Sequence, residues 1–99
     1  MAHGPERKIQ DKAVKHARSV GCFAVKFESN TAVGVPDFLF SHANCGVFFI
    51  EFKAPGQKPK PHQVSRMAEM GAAGCRCFWT DSSRKAIEII DKMVAGETP

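Results

Sequence analysis

Apolar and polar positions along this chain follow first a helical and then a strand period. Over positions 5–20, Ile9, Ala13, Ala17 and Val20 recur on one stripe, with Lys8, Lys12 and Lys15 on the opposite side. That pattern predicts an amphipathic helix, opened by Pro5 and stopped by Gly21. Over 22–28, Phe23, Val25 and Phe27 alternate with Ala24 and Lys26, the period of a strand. Residues 29–36 are rich in turn formers. A second strand starts after Pro36 over 37–40, and 41–46 reads as a hairpin connection into a third strand over 47–53. The unbroken run Val47-Phe48-Phe49-Ile50 marks that third strand as central and covered on both faces.

Pro55, Gly56, Pro59 and Pro61 forbid a strand through 54–61. A second helix begins at Pro61 or His62 and ends near Gly71 or Gly74, with Val64, Met67, Ala68 and Ala72 as its apolar positions. Positions 75–80 form a fourth strand. Asp81 or Ser82 caps a last helix whose inward residues are Ala86, Ile87, Ile90, Met93 and Val94. The expected order is helix, three strands, helix, strand, helix. A three-strand meander is antiparallel, and the helical crossover makes the third and fourth strands parallel. The fold class is therefore α/β, a mixed central sheet flanked by helices.

Length adds that this is one domain over residues 1–99, with 1–4 and 96–99 as loose ends. At 43% hydrophobic and 24% charged residues, the chain has a globular composition. It offers no segment near the roughly 20 apolar residues of a bilayer span, and no basic-then-apolar leader. A formal charge of +4 and a pI near 9.0 favour a polyanionic partner without identifying one. Cys22, Cys45, Cys75 and Cys77 lack the paired knuckles of a structural zinc site; His42 with Cys45 is the best fragment of one. They read instead as reduced thiols of a cytoplasmic protein.

The candidate chemistry lies at the end of the third strand. Residues two apart on a strand share a face, so Glu51 and Lys53 project together while Ile50 and Phe52 face the core. The hairpin brings Asp37 alongside Glu51. A surface ion pair could produce the same trio. Against that reading, the strand is central, a carboxylate between Pro36 and an apolar strand has no packing purpose, and a Pro- and Lys-rich segment with Lys58 and Lys60 follows. Two carboxylates at one point suit a hard divalent cation. Such an ion activates water and neutralises an attacked phosphate, and a nearby lysine adds charge where the transition state needs it.

Glu6 falls on the apolar stripe of the first helix, between Ala13 and Ala17 in angle. It is either a first-turn residue favoured by the helix dipole or a carboxylate aimed at the site. The Lys8, Lys12 and Lys15 stripe is open in the same way between a solvated face and a DNA contact.

The runs Gly34-Val35-Pro36-Asp37-Phe38-Leu39, Phe49-Ile50-Glu51-Phe52-Lys53-Ala54-Pro55-Gly56 and Pro61-His62-Gln63 resemble the virus-type replication-repair nuclease (VRR-NUC) family. That family belongs to the PD-(D/E)xK superfamily, and the resemblance spans residues 6–80. It implies a restriction-endonuclease-like fold of order αβββαβ(α). It implies Asp37 and Glu51 as metal ligands, Lys53 as the catalytic lysine, Gln63 as the glutamine that opens the following helix, and Glu6 as the acidic residue of the first helix. The backbone carbonyl of Phe52 joins the implied metal ligands. Mg²⁺ is the implied cofactor, with Mn²⁺ as a substitute. Stand-alone domains of this size resemble phage or bacterial homodimers that resolve four-way (Holliday) DNA junctions. Lys58, Lys60, His62, Lys8, Lys12 and Lys15 are then the candidate DNA contacts. A less selective flap or duplex nuclease, or a basic DNA-binding module without activity, are the alternatives. Spare aromatic residues point to a dimer interface on the first strand and the loop to Pro36.

Overall fold

In a computed structural model, which describes residues 4–99, the elements are α1 (Pro5–Ser19), β1 (Phe23–Lys26), β2 (Phe38–His42), β3 (Gly46–Phe52), α2 (Pro61–Ala72), β4 (Cys77–Thr80) and α3 (Ser83–Val94). The expected loose end at 1–4 lies outside the described residues except for Gly4. Pro5 stands in the first turn of α1, where its missing N–H costs nothing. Val20 closes that helix, and Gly21 turns the chain at a φ of 93°. Ser82 caps α3 by accepting from the Lys85 amide at 3.1 Å. Among the described residues no helix is long and apolar enough to cross a membrane.

The strands lie in the order β1-β2-β3-β4, antiparallel except for the parallel pair β3–β4. The mixed sheet with flanking helices expected from the sequence is thus present. β3 lies between two neighbours, as its apolar run required. One sheet face carries Ala24, Phe40, Phe48, Ile50 and Phe52, packed with Ile9, Ala13 and Ala17 of α1 and Ala86, Ile90 and Met93 of α3. The rings interlock: Phe40 stacks on Phe48 at 5.3 Å between centroids, and Phe38 meets Phe52 edge-on at 5.8 Å. Each fully buried aromatic contributes about 3 kcal/mol of transfer free energy to the core.

The opposite face is only partly covered. Phe23, Val25 and Phe27 alternate as a strand should, but they point away from α1, and Phe23 is 63% exposed. Ala24, the small residue, faces the core instead and is 5% exposed. Register places Val47 and Trp79 on the same face, outside the part that α2 reaches, and both are exposed. Two strands are shorter than their sequence patterns. β1 spans four residues, and β4 begins at Cys77 rather than 75. α2 buries none of its residues, and Val64 is 53% exposed. Its apolar positions therefore rest against the sheet margin instead of entering the core.

Candidate active site

Glu51 stands one position before the end of β3, on the face opposite the aromatic core. Its side chain is deeply buried, with the residue 4% exposed. Such a carboxylate needs donors, and three groups supply them. The Asp37 backbone N–H donates to Oε1 at 3.2 Å. The Gln63 side-chain amide donates to Oε2 at 3.2 Å. The Lys53 ammonium lies 3.3 Å from the same oxygen. Strand alternation brings Lys53 there, and hairpin register brings Asp37: Phe38 pairs with Ile50, so the position before Phe38 falls opposite Glu51.

Each partner is itself held. The Asp37 carbonyl accepts from the Phe27 N–H at 2.6 Å, and Pro36 beside it is fully buried. Gln63 Oε1 accepts from the Lys60 backbone N–H at 2.8 Å, which turns its NH₂ toward Glu51. The loop before Asp37 lies directly on α2. Gly34 has a φ of 81°, and a Cβ there would stand 2.7 Å from the His62 carbonyl oxygen. Arg66 Nε donates to the Val33 carbonyl at 2.9 Å across the same contact. Gly34 is thus required both by its backbone angle and by the space available.

The structure therefore brings Asp37, Glu51, Lys53 and Gln63 together. It adds Gln10, which the sequence reading passed over. Gln10 is 5% exposed, and its Nε2 lies 3.4 Å from Asp37 Oδ2. The signal was present: Gln10 falls one helical turn after Glu6 and one before Ala13 and Val14, an uncharged polar residue on an otherwise apolar stripe. Glu6 is half-buried a turn earlier. Among the described residues no group of three or more His, Cys, Asp or Glu side chains is gathered to hold a metal ion, so Glu6 does not join the carboxylate pair.

The remaining candidates scatter around this centre. His62 lines a hollow of about 490 Å³ together with Asp37. Lys58 and Lys60 are exposed on the segment before α2, and Lys8 and Lys12 are exposed on α1. Lys15 instead lines a groove between α1 and β1. The Phe52 ring is fully buried in the core, and its backbone lies between Glu51 and Lys53. His42 serves the hairpin: Nδ1 accepts from the Asn44 N–H, and Nε2 is 3.1 Å from the Val20 carbonyl. Both of its ring nitrogens are engaged within the fold.

The Glu51 carboxyl is pushed up to about 7, first by burial, then by the hydrogen bond and charge of Asp37. Lys53 pulls the other way and is outweighed. The donor set fits a hard divalent cation: two adjacent carboxylates, one of them buried and destabilised as an anion, gain most from a positive charge between them.

A stability dependence follows. The folded-state value lies above the ordinary 4.5, so the folded protein holds the Glu51 proton more tightly than the unfolded chain does. This contribution is full below the ordinary value and is lost as pH rises toward and through about 7. It amounts to about 3 kcal/mol at most. Melting in EDTA should accordingly weaken from about pH 5 to about pH 8. Added Mg²⁺ should stabilise the protein more at the higher pH, where it no longer competes with that proton. Equal stabilisation at both pH values would separate Mg²⁺ from Glu51.

No family model matches the chain. Over 77 residues it is 39% identical to "Putative nuclease p44" of Acyrthosiphon pisum secondary endosymbiont phage 1, covering 78% of this chain and 83% of that protein. A solved structure described as a VRR_NUC domain superposes with a TM-score of 0.81 at 23% identity, covering 90% of this chain and 97% of that one. The sequence kinship lies with a phage nuclease and the fold with the VRR_NUC domain, so the chain belongs to the VRR-NUC family of nucleases.

Proposed function

We propose that this nuclease is a divalent-metal-dependent endonuclease that hydrolyses phosphodiester bonds in DNA, acting as a homodimer on four-way junctions. The observation that carries the chemistry is the buried Glu51 carboxylate beside Asp37, with the Lys53 ammonium 3.3 Å away. Asp37, Glu51 and the Phe52 backbone carbonyl are the groups that would hold Mg²⁺ or Mn²⁺. Bound there, the ion supplies water activation and charge neutralisation at the phosphate. Lys53 contributes a fixed positive charge where the phosphate gains negative charge, and its low exposure of 13% strengthens that interaction. Gln63 and the Asp37 amide hold Glu51 in one orientation, and Gln10 steadies Asp37. Glu6, one turn before Gln10 on α1, stays a candidate catalytic residue and metal ligand on the family resemblance alone. His62, Lys58, Lys60, Lys8, Lys12 and Lys15 remain candidate contacts to DNA. Such an enzyme would work where the DNA is, in the cytoplasm of a bacterial or phage-infected cell.

The junction and dimer readings rest on different ground. A four-way junction is resolved by two symmetric cuts on opposed strands, and one chain offers one such site. The uncovered face bearing Phe23, Val25, Phe27 and Val47 is the apolar surface a twofold partner could cover. One experiment tests the set: cleavage of junction, flap, single-stranded and linear duplex DNA in Mg²⁺ or EDTA, with light scattering on the same sample. The expected result is Mg²⁺-dependent cutting, fastest on the junction, at about twice the 10.8 kDa chain mass. Equal cutting of all substrates by a monomer would replace junction resolution with a less selective nuclease. Binding without cutting in either metal would leave a DNA-binding module.

A further inference from the structure

A groove of about 510 Å³ runs between α1 and β1, and its charge is one-sided. Arg7, Lys15, Arg18 and Lys26 line it against a single carboxylate, Asp11. Asp11 is already paired with Arg7 at 3.0 Å, so that pair cancels. Lys15, Arg18 and Lys26 remain, and among the described residues none of the three has a salt-bridge partner. Three cations around one concavity repel one another, an arrangement that a solvated surface gains nothing from and a polyanion relieves. Arg18 is also preset. Its Nη2 donates to the Ala24 carbonyl at 2.9 Å, which fixes the guanidinium plane at the groove wall.

The groove leads to the site. Gln10 lines it and reaches Asp37 at 3.4 Å. Lys26 lines both this groove and the hollow that contains Asp37 and His62. Lys8 and Lys12, on the same helix, do not line it. We infer that the α1–β1 groove is a phosphate-binding track, in which Lys15, Arg18 and Lys26 hold the backbone of one DNA strand as it approaches the carboxylate pair. The inference rests on the proposed DNA nuclease activity and adds where the strand lies. Contacts of this kind fix register without reading sequence, so the track is indifferent to base identity.

The test is the salt dependence of binding by the full chain to a short fluorescent DNA duplex in EDTA, where nothing is cut. Each phosphate neutralised contributes about 0.9 to the slope of log affinity against log salt. Lys15→Ala with Lys26→Ala should flatten that slope by about 2 and weaken binding about tenfold or more near 0.1 M salt. Both side chains are exposed, so an unchanged melting temperature is expected to accompany the loss. Arg18→Ala should act in the same direction, and Arg84→Ala with Lys85→Ala, two exposed cations of α3 that line neither the groove nor the hollow, should leave the slope close to that of the unmodified protein. The inference is overturned if the groove variant keeps the original slope, or if the Arg84 and Lys85 variant loses as much. In either case Mg²⁺-dependent cutting by the unmodified protein would still stand. If the unmodified protein neither binds nor cuts DNA, the proposed activity fails and the track fails with it.

Discussion

Asp37→Ala and Glu51→Ala should each lower Mg²⁺-dependent DNA cleavage by about a thousandfold or more, because a metal-based site of this kind supplies several kcal/mol of charge stabilisation. The more instructive variant is Glu51→Gln, which keeps the shape and an oxygen to accept from the Asp37 amide. Its activity should fall as far, since a neutral amide cannot replace a carboxylate toward a divalent cation. Its stability should lose a pH dependence. The Glu51 carboxyl is pushed up to about 7 by burial and by Asp37, so ionised Glu51 strains the folded state above that pH. The new amide NH₂ would face the Gln63 and Lys53 donors, so the clean readout is the pH trend: in EDTA the melting temperature of the Gln variant should change less between about pH 5 and pH 8 than that of the unmodified protein. An unchanged pH trend would show that Glu51 does not titrate in this range. Cutting in EDTA at the Mg²⁺ rate would sink the metal-based reading directly.

Lys53→Ala should reduce turnover by about two to three orders of magnitude while changing DNA affinity by no more than about threefold. Its ammonium is 3.3 Å from Glu51 and mostly shielded from solvent, so on the proposed mechanism its charge would act at the reacting phosphate rather than along the strand. Lys58→Ala with Lys60→Ala provides the contrast. Both residues are exposed, on the segment between β3 and α2. Their loss should weaken binding, flatten its salt dependence and spare turnover at saturating DNA. The division of roles is wrong if both variants lose affinity equally with turnover intact.

Much of this arrangement was legible in the residues. The pairing of Asp37 with Glu51 followed from hairpin length and strand period, both local properties. The alignment of Glu51 with Lys53 needed only alternation. What escaped depended on packing between distant elements. Periodicity announces that one side of β1 is apolar, but it cannot say which side α1 will cover; the small Ala24 decided that. Helical spacing placed Val64, Met67 and Ala68 together without revealing that α2 lies beside the edge strand β4, where Val64 and Ala68 stay exposed and Met67 is half-buried. Gln10 carries no charge to mark it, and an amide on an apolar stripe looks like an imperfection until its partner 27 positions away is known. The stripe of Lys8, Lys12 and Lys15 looked like one surface, yet the position of β1 separates Lys15 from the other two.

The seating of α2 has a consequence for how this protein can fail. The helix contributes no buried residue to the interior. Its described side-chain tethers to the site region are the Gln63 bond to Glu51 and the Arg66 bond to Val33, with Gly34 close beneath His62. Those attachments are polar and lie outside the aromatic layer, which holds the sheet together under α1 and α3 without them. Catalytic competence and global folding are therefore separable properties: the orienting amide can detach from Glu51 in a sub-global opening while the hydrophobic layer remains intact. A melting curve dominated by that layer measures the endurance of the scaffold, and the readiness of the site is a second quantity with its own, smaller free energy.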